Sequence, residues 1–143
     1  MTAVTVEALL GGKDVLKRRP RSDLDWVVVV REGIRAKALD AVAANLGLAR
    51  SEVAEHLGIA ERTLARRRKT GMLTTEESGK LVRLARIARR AAEVFEDRDL
   101  GVGWLKRPNR ALGGERPLDL LDTEIGAENV LDVLGRIEHG VFS

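Results

Sequence analysis

Residues 51–69 constrain the fold more than any other part of the chain. They read Ser-Glu-Val-Ala-Glu-His-Leu-Gly-Ile-Ala-Glu-Arg-Thr-Leu-Ala-Arg-Arg-Arg-Lys. Two helices that meet at a steep angle need a small residue at the crossing and a residue that tolerates a left-handed backbone in the turn. Ala54 and Gly58 meet these needs. Apolar residues for the inner faces follow at matching offsets, at Val53, Leu57, Ile59 and Leu64. The pattern predicts a helix-turn-helix.

The second helix of such a motif enters the major groove of DNA, and in this chain it is strongly basic. The residues predicted to face base edges are Glu61, Arg62, Ala65 and Arg66. Arginine reads guanine through two donors. The residues predicted to lie near phosphates, which position a protein without specifying sequence, are Thr63, Arg67, Arg68 and Lys69. The alternative is an ordinary αα-hairpin with a basic face.

Both helices of the motif lack a good residue at the expected N-cap. The two positions, Ala49 and Ala60, are alanines, and each missing cap costs about 1 kcal/mol. This predicts a helix-turn-helix of reduced stability that needs a partner to stabilise it. Alternatively, the first helix begins two residues later, at Ser51.

The rest of the chain also favours helices. Apolar residues make up 44% and aromatic residues only 3%, so the core must consist of Leu, Val, Ile and Ala. Trp26–Val30 favours a strand by propensity, but its apolar face continues along the chain, and we predict a helical run that breaks near Gly33. Further helices are predicted over about residues 35–45, ending at Gly47, and over about 50–57, 61–69, 75–96 and 127–138.

Local signals refine the second half of the chain. Thr74 and Glu77 fit a capping box at the start of the long helix. Gly101 and Gly103 predict a loop, and Pro117 suits the first turn of a short helix through Leu121. The predicted organisation is an irregular lead-in over residues 1–25, a helix-turn-helix module over 26–73 and a helical module over 74–143. The basic cluster at 17–21 is either a solvated arm or a phosphate-contacting arm.

Charge differs between the two halves of the chain. Residues 1–73 carry 14 basic and 9 acidic side chains, whereas residues 74–143 carry 11 basic and 13 acidic ones. From Leu118 onward there are six acids and one base, Arg136. A basic front half and an acidic back half indicate two different partners.

Several classes of protein are disfavoured. There is no cysteine, and His56 and His139 are the only histidines, so we expect no metal site, no cofactor and no nucleophile–base pair. Asp119, Asp122 and Glu124 read as helix-start and surface acids, and the chain is expected not to be an enzyme. The longest apolar run is far shorter than the roughly 20 residues of a membrane helix. The first residues lack the order of a signal peptide, so we expect a cytoplasmic protein.

Two blocks of sequence carry a resemblance to a known family. One is the helix-turn-helix that ends in Arg62–Lys69. The other comprises Glu77-Ser78, Leu81–Arg86, Trp104-Leu105, Pro108–Gly114, Pro117–Thr123, Gly126, Val130 and Leu134–Phe142. On these blocks, over about residues 30–143, the chain resembles the Xre/MbcA/ParS antitoxins, which are partners of RES-domain toxins in type II toxin–antitoxin pairs.

The resemblance implies an all-α protein. An N-terminal Xre/Cro-like helix-turn-helix would bind operator DNA of its own gene pair and repress transcription. A helical C-terminal module would bind and neutralise a RES-domain toxin that consumes NAD⁺ or transfers ADP-ribose. The antitoxin itself would not be an enzyme, and it would form a homodimer and a larger complex with the toxin.

The last residues of the chain are the candidate toxin-binding segment. A pocket for a dinucleotide pyrophosphate should be lined with cations, and a short acidic segment suits it as a plug. We expect the toxin contacts at Glu138, His139, Gly140, Val141, Phe142 and Ser143, with the terminal carboxylate in place of a phosphate and Phe142 in place of a stacked ring. In the alternative, Val141 and Phe142 fold back on the core. An alternative function is a stand-alone transcription regulator whose second module dimerises or binds an effector.

Overall fold

A computed structural model describes residues 4–140 of the chain, and this part is all-α, as predicted. It contains no β-strand beyond two isolated bridges. The α-helices are α1 (Val6–Leu9), α2 (Lys13–Leu16), α3 (Asp23–Glu32), α4 (Lys37–Leu46), α5 (Arg50–His56), α6 (Glu61–Thr70), α7 (Thr75–Phe95), α8 (Arg98–Leu105) and α9 (Glu124–Glu138), with 3₁₀ turns at Arg110–Leu112 and Pro117–Leu120. Two compact units result: Thr5–Ala85, and residues 86–140 together with Val4.

The apolar run Trp26–Val30 lies within α3 and is helical, as predicted. The helix ends at Gly33, whose φ of 88° is readily adopted by glycine. α4 ends at Gly47 in the left-handed conformation, also as predicted. The β propensity of this run is therefore overridden by burial of one helix face, on which Val29 is buried.

The prediction of an irregular lead-in is wrong over residues 6–16. α1 and α2 lie in this segment on either side of Gly11-Gly12, and both contact α4. Leu9, Leu10 and Leu16 are buried there, and the Asn45 side-chain amide donates to the Leu9 carbonyl at 3.1 Å. The segment is ordered because these leucines extend the core of the first unit, although neither helix is long enough to show a helical period.

The start of α7 belongs to the first unit. Its capping box forms in both directions: Thr74 Oγ1 accepts from the Glu77 N–H at 3.1 Å, and the Glu77 carboxylate accepts from the Thr74 N–H at 2.9 Å. Ser78 is buried, and its Oγ accepts from the Ile34 N–H at 2.8 Å. The two units therefore divide inside α7, at 85/86, and not at the predicted boundary of 73/74.

The predicted loop at Gly101 and Gly103 is wrong, because both glycines lie inside α8. A Cβ at Gly101 would lie 2.6 Å from the Ala91 carbonyl carbon of α7, so this glycine allows two helix backbones to approach closely. At Gly103 a Cβ would meet nothing within 4 Å. Gly101 is therefore required by packing within the second unit, whereas Gly103 is not.

The second unit closes with the predicted short turn and the last helix. Pro117 begins a 3₁₀ turn rather than an α-helical one. Thr123 caps α9 by accepting from the Gly126 N–H at 3.0 Å, so the helix begins three residues before the predicted Ala127. The buried residues that fill this unit include Leu105, Leu118, Val130 and Leu134. Phe95 and Trp104 pack with their ring centroids 6.1 Å apart.

Candidate functional site

α5 and α6 form the predicted helix-turn-helix. The five residues assigned to its inner faces and crossing point are all buried, namely Val53, Ala54, Leu57, Ile59 and Leu64. Gly58 lies in the turn with a φ of 70°, as the motif requires. The hydrophobic spacing read from the sequence therefore gives the geometry of the motif correctly.

The N-termini of both motif helices lack a side-chain cap, as predicted. α5 begins after Ala49 and α6 after Ala60, and neither alanine provides an acceptor. At α5, Glu52 partly compensates for the missing cap, because its carboxylate accepts a hydrogen bond from the Ala49 N–H at 3.3 Å. The alternative start at Ser51 is wrong, because α5 begins at Arg50.

The first turns of α7 anchor both motif helices. The Lys80 ammonium donates to the Leu57 carbonyl at 3.4 Å, at the end of α5, and lies 3.5 Å from Glu76. Glu77 binds Arg67 of α6. The sequence predicts the capping role of Glu77 but not the contacts of Lys80 with α5 and of Glu77 with α6. The i,i+3 spacing that reveals a capping box carries no information about a partner on another helix.

Arg67 is held by a bidentate ion pair. Its Nε and Nη2 donate to the two Glu77 carboxylate oxygens at 2.8 and 3.3 Å, and the side chains of Arg67 and Glu77 are 19% and 12% exposed. Burial raises the pKa of the Glu77 carboxyl, but hydrogen bonds from Arg67 and Thr74 outweigh it and hold this pKa below its usual value. Arg67, which is predicted to contact phosphate, forms this ion pair within the unit.

Most of the other predicted DNA-contacting residues are exposed on α6. Thr63 is half-buried, and Arg68 lies 3.4 Å from Asp40, which also lies 3.6 Å from Arg50. The exposed residues are Glu61, Arg62, Ala65, Arg66, Arg68 and Lys69. Within the described part of the chain, no ion pair engages Arg62, Arg66 or Lys69. These three cations form the open basic face of α6.

At the end of α9, Glu138 is held by Arg90 of α7. The Arg90 guanidinium donates to both carboxylate oxygens, at 2.9 and 2.7 Å, and the side chains of Arg90 and Glu138 are 28% and 38% exposed. Hydrogen bonding from Arg90 lowers the pKa of Glu138. His139 and Gly140 are exposed beyond this pair. Val141, Phe142 and Ser143 lie outside the described residues.

Asp119 and Glu124 lie in local structure near the start of α9. Asp119 accepts from Arg116 at 2.8 Å through both carboxylate oxygens, and Glu124 lies in the first turn of α9. Over residues 4–140, no group of three or more His, Asp or Glu side chains is arranged to hold a metal ion. No helix in this range combines the length and apolar character needed to cross a membrane.

Comparison with known proteins agrees with the division into two units. Residues 25–86 match the Antitoxin Xre-like helix-turn-helix domain, and residues 90–140 match the Antitoxin Xre/MbcA/ParS C-terminal toxin-binding domain. The boundary between the two matches lies close to the division at 85/86.

Relatives match most of the chain. An "Antitoxin Xre" of Yersinia enterocolitica is 35% identical over 116 residues, which cover 80% of this chain and 78% of the relative. A "Prs ADP-ribosylating antitoxin" of a Sphingobium species is 28% identical over 132 residues, which cover 85% and 83%. A chain of the crystal structure of the M. tuberculosis MbcT-MbcA toxin–antitoxin complex is 27% identical with a TM-score of 0.56, covering 76% of this chain and 96% of that one. The chain therefore belongs to the Xre/MbcA/ParS family of antitoxins, with an Xre-like helix-turn-helix domain followed by a C-terminal toxin-binding domain.

Proposed function

We propose that this antitoxin neutralises a RES-domain toxin that consumes NAD⁺, by covering the toxin's NAD⁺ pocket with its C-terminal segment. The same chain represses its own operon through the helix-turn-helix. The match of residues 90–140 to a toxin-binding domain carries the proposal. The name of the Sphingobium relative supports the NAD⁺ chemistry, since ADP-ribose groups are transferred from NAD⁺.

The contacts of Glu138 sharpen the proposed role of the segment from Glu138 to Ser143. Because Arg90 occupies both Glu138 oxygens, Glu138 anchors the end of α9 and the toxin contacts begin at His139. The residues beyond the anchor, His139, Gly140, Val141, Phe142 and Ser143, would then enter the pocket.

Operator binding is proposed for the open basic face of α6. Arg62 and Arg66 read bases in the major groove, while Lys69 contacts phosphate. The anchoring of α5 and α6 by Lys80 and Glu77 supports this role, because a recognition helix must be held rigid to place its side chains. We further propose that the antitoxin acts as a homodimer on a palindromic operator and assembles with the toxin into a larger complex.

Co-expression with the product of the neighbouring gene tests the proposal. The partner should co-purify with this chain, and NAD⁺ consumption by the partner alone should disappear when the chain is added in equimolar amount. A partner that binds but does not consume NAD⁺ would contradict the proposed chemistry. A partner that consumes NAD⁺ equally in the presence of the chain would contradict neutralisation.

A further inference from the structure

A second basic surface lies in the first unit, at the turn between α2 and α3. Its exposed cations are Lys17, Arg18, Arg19, Arg21 and Arg35. Arg18 pairs with Glu32 at 2.6 Å, whereas the other four side chains form no ion pair with any residue from 4 to 140. Three of the five cations precede residue 25, where the match to the helix-turn-helix domain begins. The recognised motif therefore does not account for this surface.

The turn between α2 and α3 holds its cations in fixed positions. Lys17 ends α2 in the left-handed conformation, with a φ of 60°, and its N–H donates to the Lys13 carbonyl at 2.7 Å. Leu16, next to it, is buried. Further along, the Arg21 N–H donates to the Asp25 carboxylate at 2.7 Å. A ligand would therefore meet an ordered surface, and its binding would cost less conformational entropy than the ordering of a free arm.

The second basic surface is also fixed to the end of α6. Two backbone hydrogen bonds, of 2.9 and 2.8 Å, connect residues 34–36 with residues 71–73, which follow α6 directly. Arg35 is the central residue of the first segment, and Met72 is the central residue of the second. Both line a concavity of about 390 Å³, together with Lys17 of the turn. The position of these cations relative to α6 is therefore set by the fold.

A smaller concavity extends the surface along α3. Its volume is about 240 Å³, it shares Arg18 and Val29 with the first concavity, and Arg19 lines it. Four basic and two acidic side chains line the two concavities. Of the acids, Glu32 is neutralised by Arg18, and Asp25 accepts a hydrogen bond from the backbone of the turn. The result is an elongated surface with a net positive charge.

The length of α6 brings this surface close to a strand of phosphates. The helix has 10 residues, which span about 15 Å, and the major groove is about 12 Å wide. Because the amino-terminal half of α6 is proposed to read bases, its carboxyl end should leave the groove beside the sugar–phosphate backbone. Cations fixed next to that end then face phosphates. An elongated basic surface suits a continuous strand better than a single small anion.

We infer that the second basic surface binds the DNA backbone beside the base pairs that α6 reads. Lys17, Arg19, Arg21 and Arg35 contact phosphates of the flanking strand, and they add affinity without sequence preference. This inference rests on the operator binding in the proposed function and extends the DNA interface beyond the helix-turn-helix.

The salt dependence of DNA binding by the full chain tests the inference. The probes are a duplex from the region upstream of the gene pair and a scrambled duplex of the same length. For Lys17→Gln/Arg19→Gln, the slope of log affinity against log salt should be smaller than the wild-type slope by about 2 on both duplexes. The ratio of the two affinities should not change, because phosphate contacts carry no sequence information.

Arg107→Gln/Arg136→Gln is the matched control. It also removes two exposed arginine or lysine charges, but both positions lie in the second unit, and the wild-type slope should be retained. Circular dichroism verifies that both double variants are folded.

Shortening the upstream duplex stepwise from both ends identifies flanking phosphates as the ligand. The difference in slope between the wild-type chain and Lys17→Gln/Arg19→Gln should disappear while the wild-type chain still prefers the upstream sequence to the scrambled one. A difference that persists for as long as this preference does would show that the variant alters α6 itself, and it would overturn the inference.

The remaining outcomes separate the inference from the proposed function. A wild-type slope in Lys17→Gln/Arg19→Gln on the full-length duplexes would overturn the inference, while operator binding by α6 stands. Wild-type slopes together with weaker inhibition of the partner toxin would assign the surface to the toxin and overturn the inference as well. A wild-type chain with no preference for the upstream duplex would contradict both the proposed repression and the inference.

Discussion

Each unit of the antitoxin contains one bidentate arginine–carboxylate pair that fixes a helix to α7. In the helix-turn-helix unit the pair is Arg67–Glu77, and in the toxin-binding unit it is Arg90–Glu138. Each pair engages a residue that the sequence assigned to a partner, since Arg67 was expected at a phosphate and Glu138 at the toxin. The first pair is more buried than the second. A charge on a helix therefore predicts an interface only once its internal partners are known.

Glycine also serves different purposes in the two units. In the first unit Gly47, Gly58 and Gly71 adopt positive φ at helix ends and turns. In the second unit Gly101 and Gly126 lie inside helices, where the neighbouring backbone leaves no room for a Cβ. The second unit also has positive-φ glycines, at Gly113 and Gly114, but its helical glycines Gly101 and Gly126 are required by close contact with neighbouring backbone.

The largest effect is expected from Gly101→Ala. The new methyl group would strike the backbone of Ala91 and Ala92, and we expect the free energy of unfolding to fall by about 3 kcal/mol. Gly103→Ala, in the same helix but in open space, should be neutral or stabilising by up to about 1 kcal/mol. Urea unfolding measures both. Equal stability of the two variants would contradict the close approach of α8 to α7.

The next effect concerns Ser78. Ser78→Ala leaves the Ile34 N–H buried without an acceptor, which should cost about 1–3 kcal/mol. Ser51→Ala makes the same change at an exposed position and should change stability by less than about 0.5 kcal/mol. If Ser78→Ala is as stable as Ser51→Ala in thermal unfolding, the start of α7 does not anchor the first unit.

Operator affinity should distinguish the base contacts of α6 from its phosphate contacts. Arg62→Ala should cost about 1–3 kcal/mol on the operator and relax base preference at one position. The same loss on unrelated DNA would place Arg62 at a phosphate instead. Titrations with operator and scrambled duplexes at one salt concentration measure both losses.

The salt dependence of DNA binding compares a free cation with a paired one. Lys69→Ala should reduce the slope of log affinity against log salt by about 1. Arg67→Ala should leave that slope nearly unchanged, because its guanidinium is bound to Glu77. Equal reductions in the two variants would show that Arg67 leaves Glu77 when DNA binds.

The smallest effect concerns acid stability. The pKa of Glu77 is lower in the folded state than in the unfolded chain. The Arg67–Glu77 pair therefore contributes its full stabilisation above the unfolded pKa of about 4.3, and this stabilisation is lost as pH falls through the folded pKa. Glu77→Gln should therefore flatten the loss of stability on acidification. Glu138→Gln should do so less, because the Arg90–Glu138 pair is more exposed to solvent. Melting temperatures measured from pH 7 to pH 3 test this order.

Local patterns account for what the sequence predicts well. The helix-turn-helix, the capping box at Thr74 and Glu77 and the end of α4 at Gly47 all depend on spacings within one or two turns. The hydrophobic period does not reveal α1 and α2 in the lead-in, because these helices have only four residues each. The sequence does not predict the role of Gly101, because a glycine in a loop and a glycine at a helix crossing cannot be distinguished from one sequence.

The predicted site was incomplete for a similar reason. Arg67 and Glu77 lie ten residues apart on different helices, and Arg90 and Glu138 lie 48 apart. Only packing brings these groups together. The exposed α6 cations could be predicted, since they follow from the position of the motif and the helical period.

Deletion of residues 139–143 tests whether the C-terminal segment inhibits the toxin. The deletion retains Glu138 and its pair with Arg90, so α9 should remain anchored. NAD⁺ consumption by the partner toxin and operator binding by the antitoxin would be measured on the same preparation. We expect the truncated antitoxin to lose inhibition of NAD⁺ consumption and to bind the operator with unchanged affinity. Full inhibition by the truncated protein would contradict it.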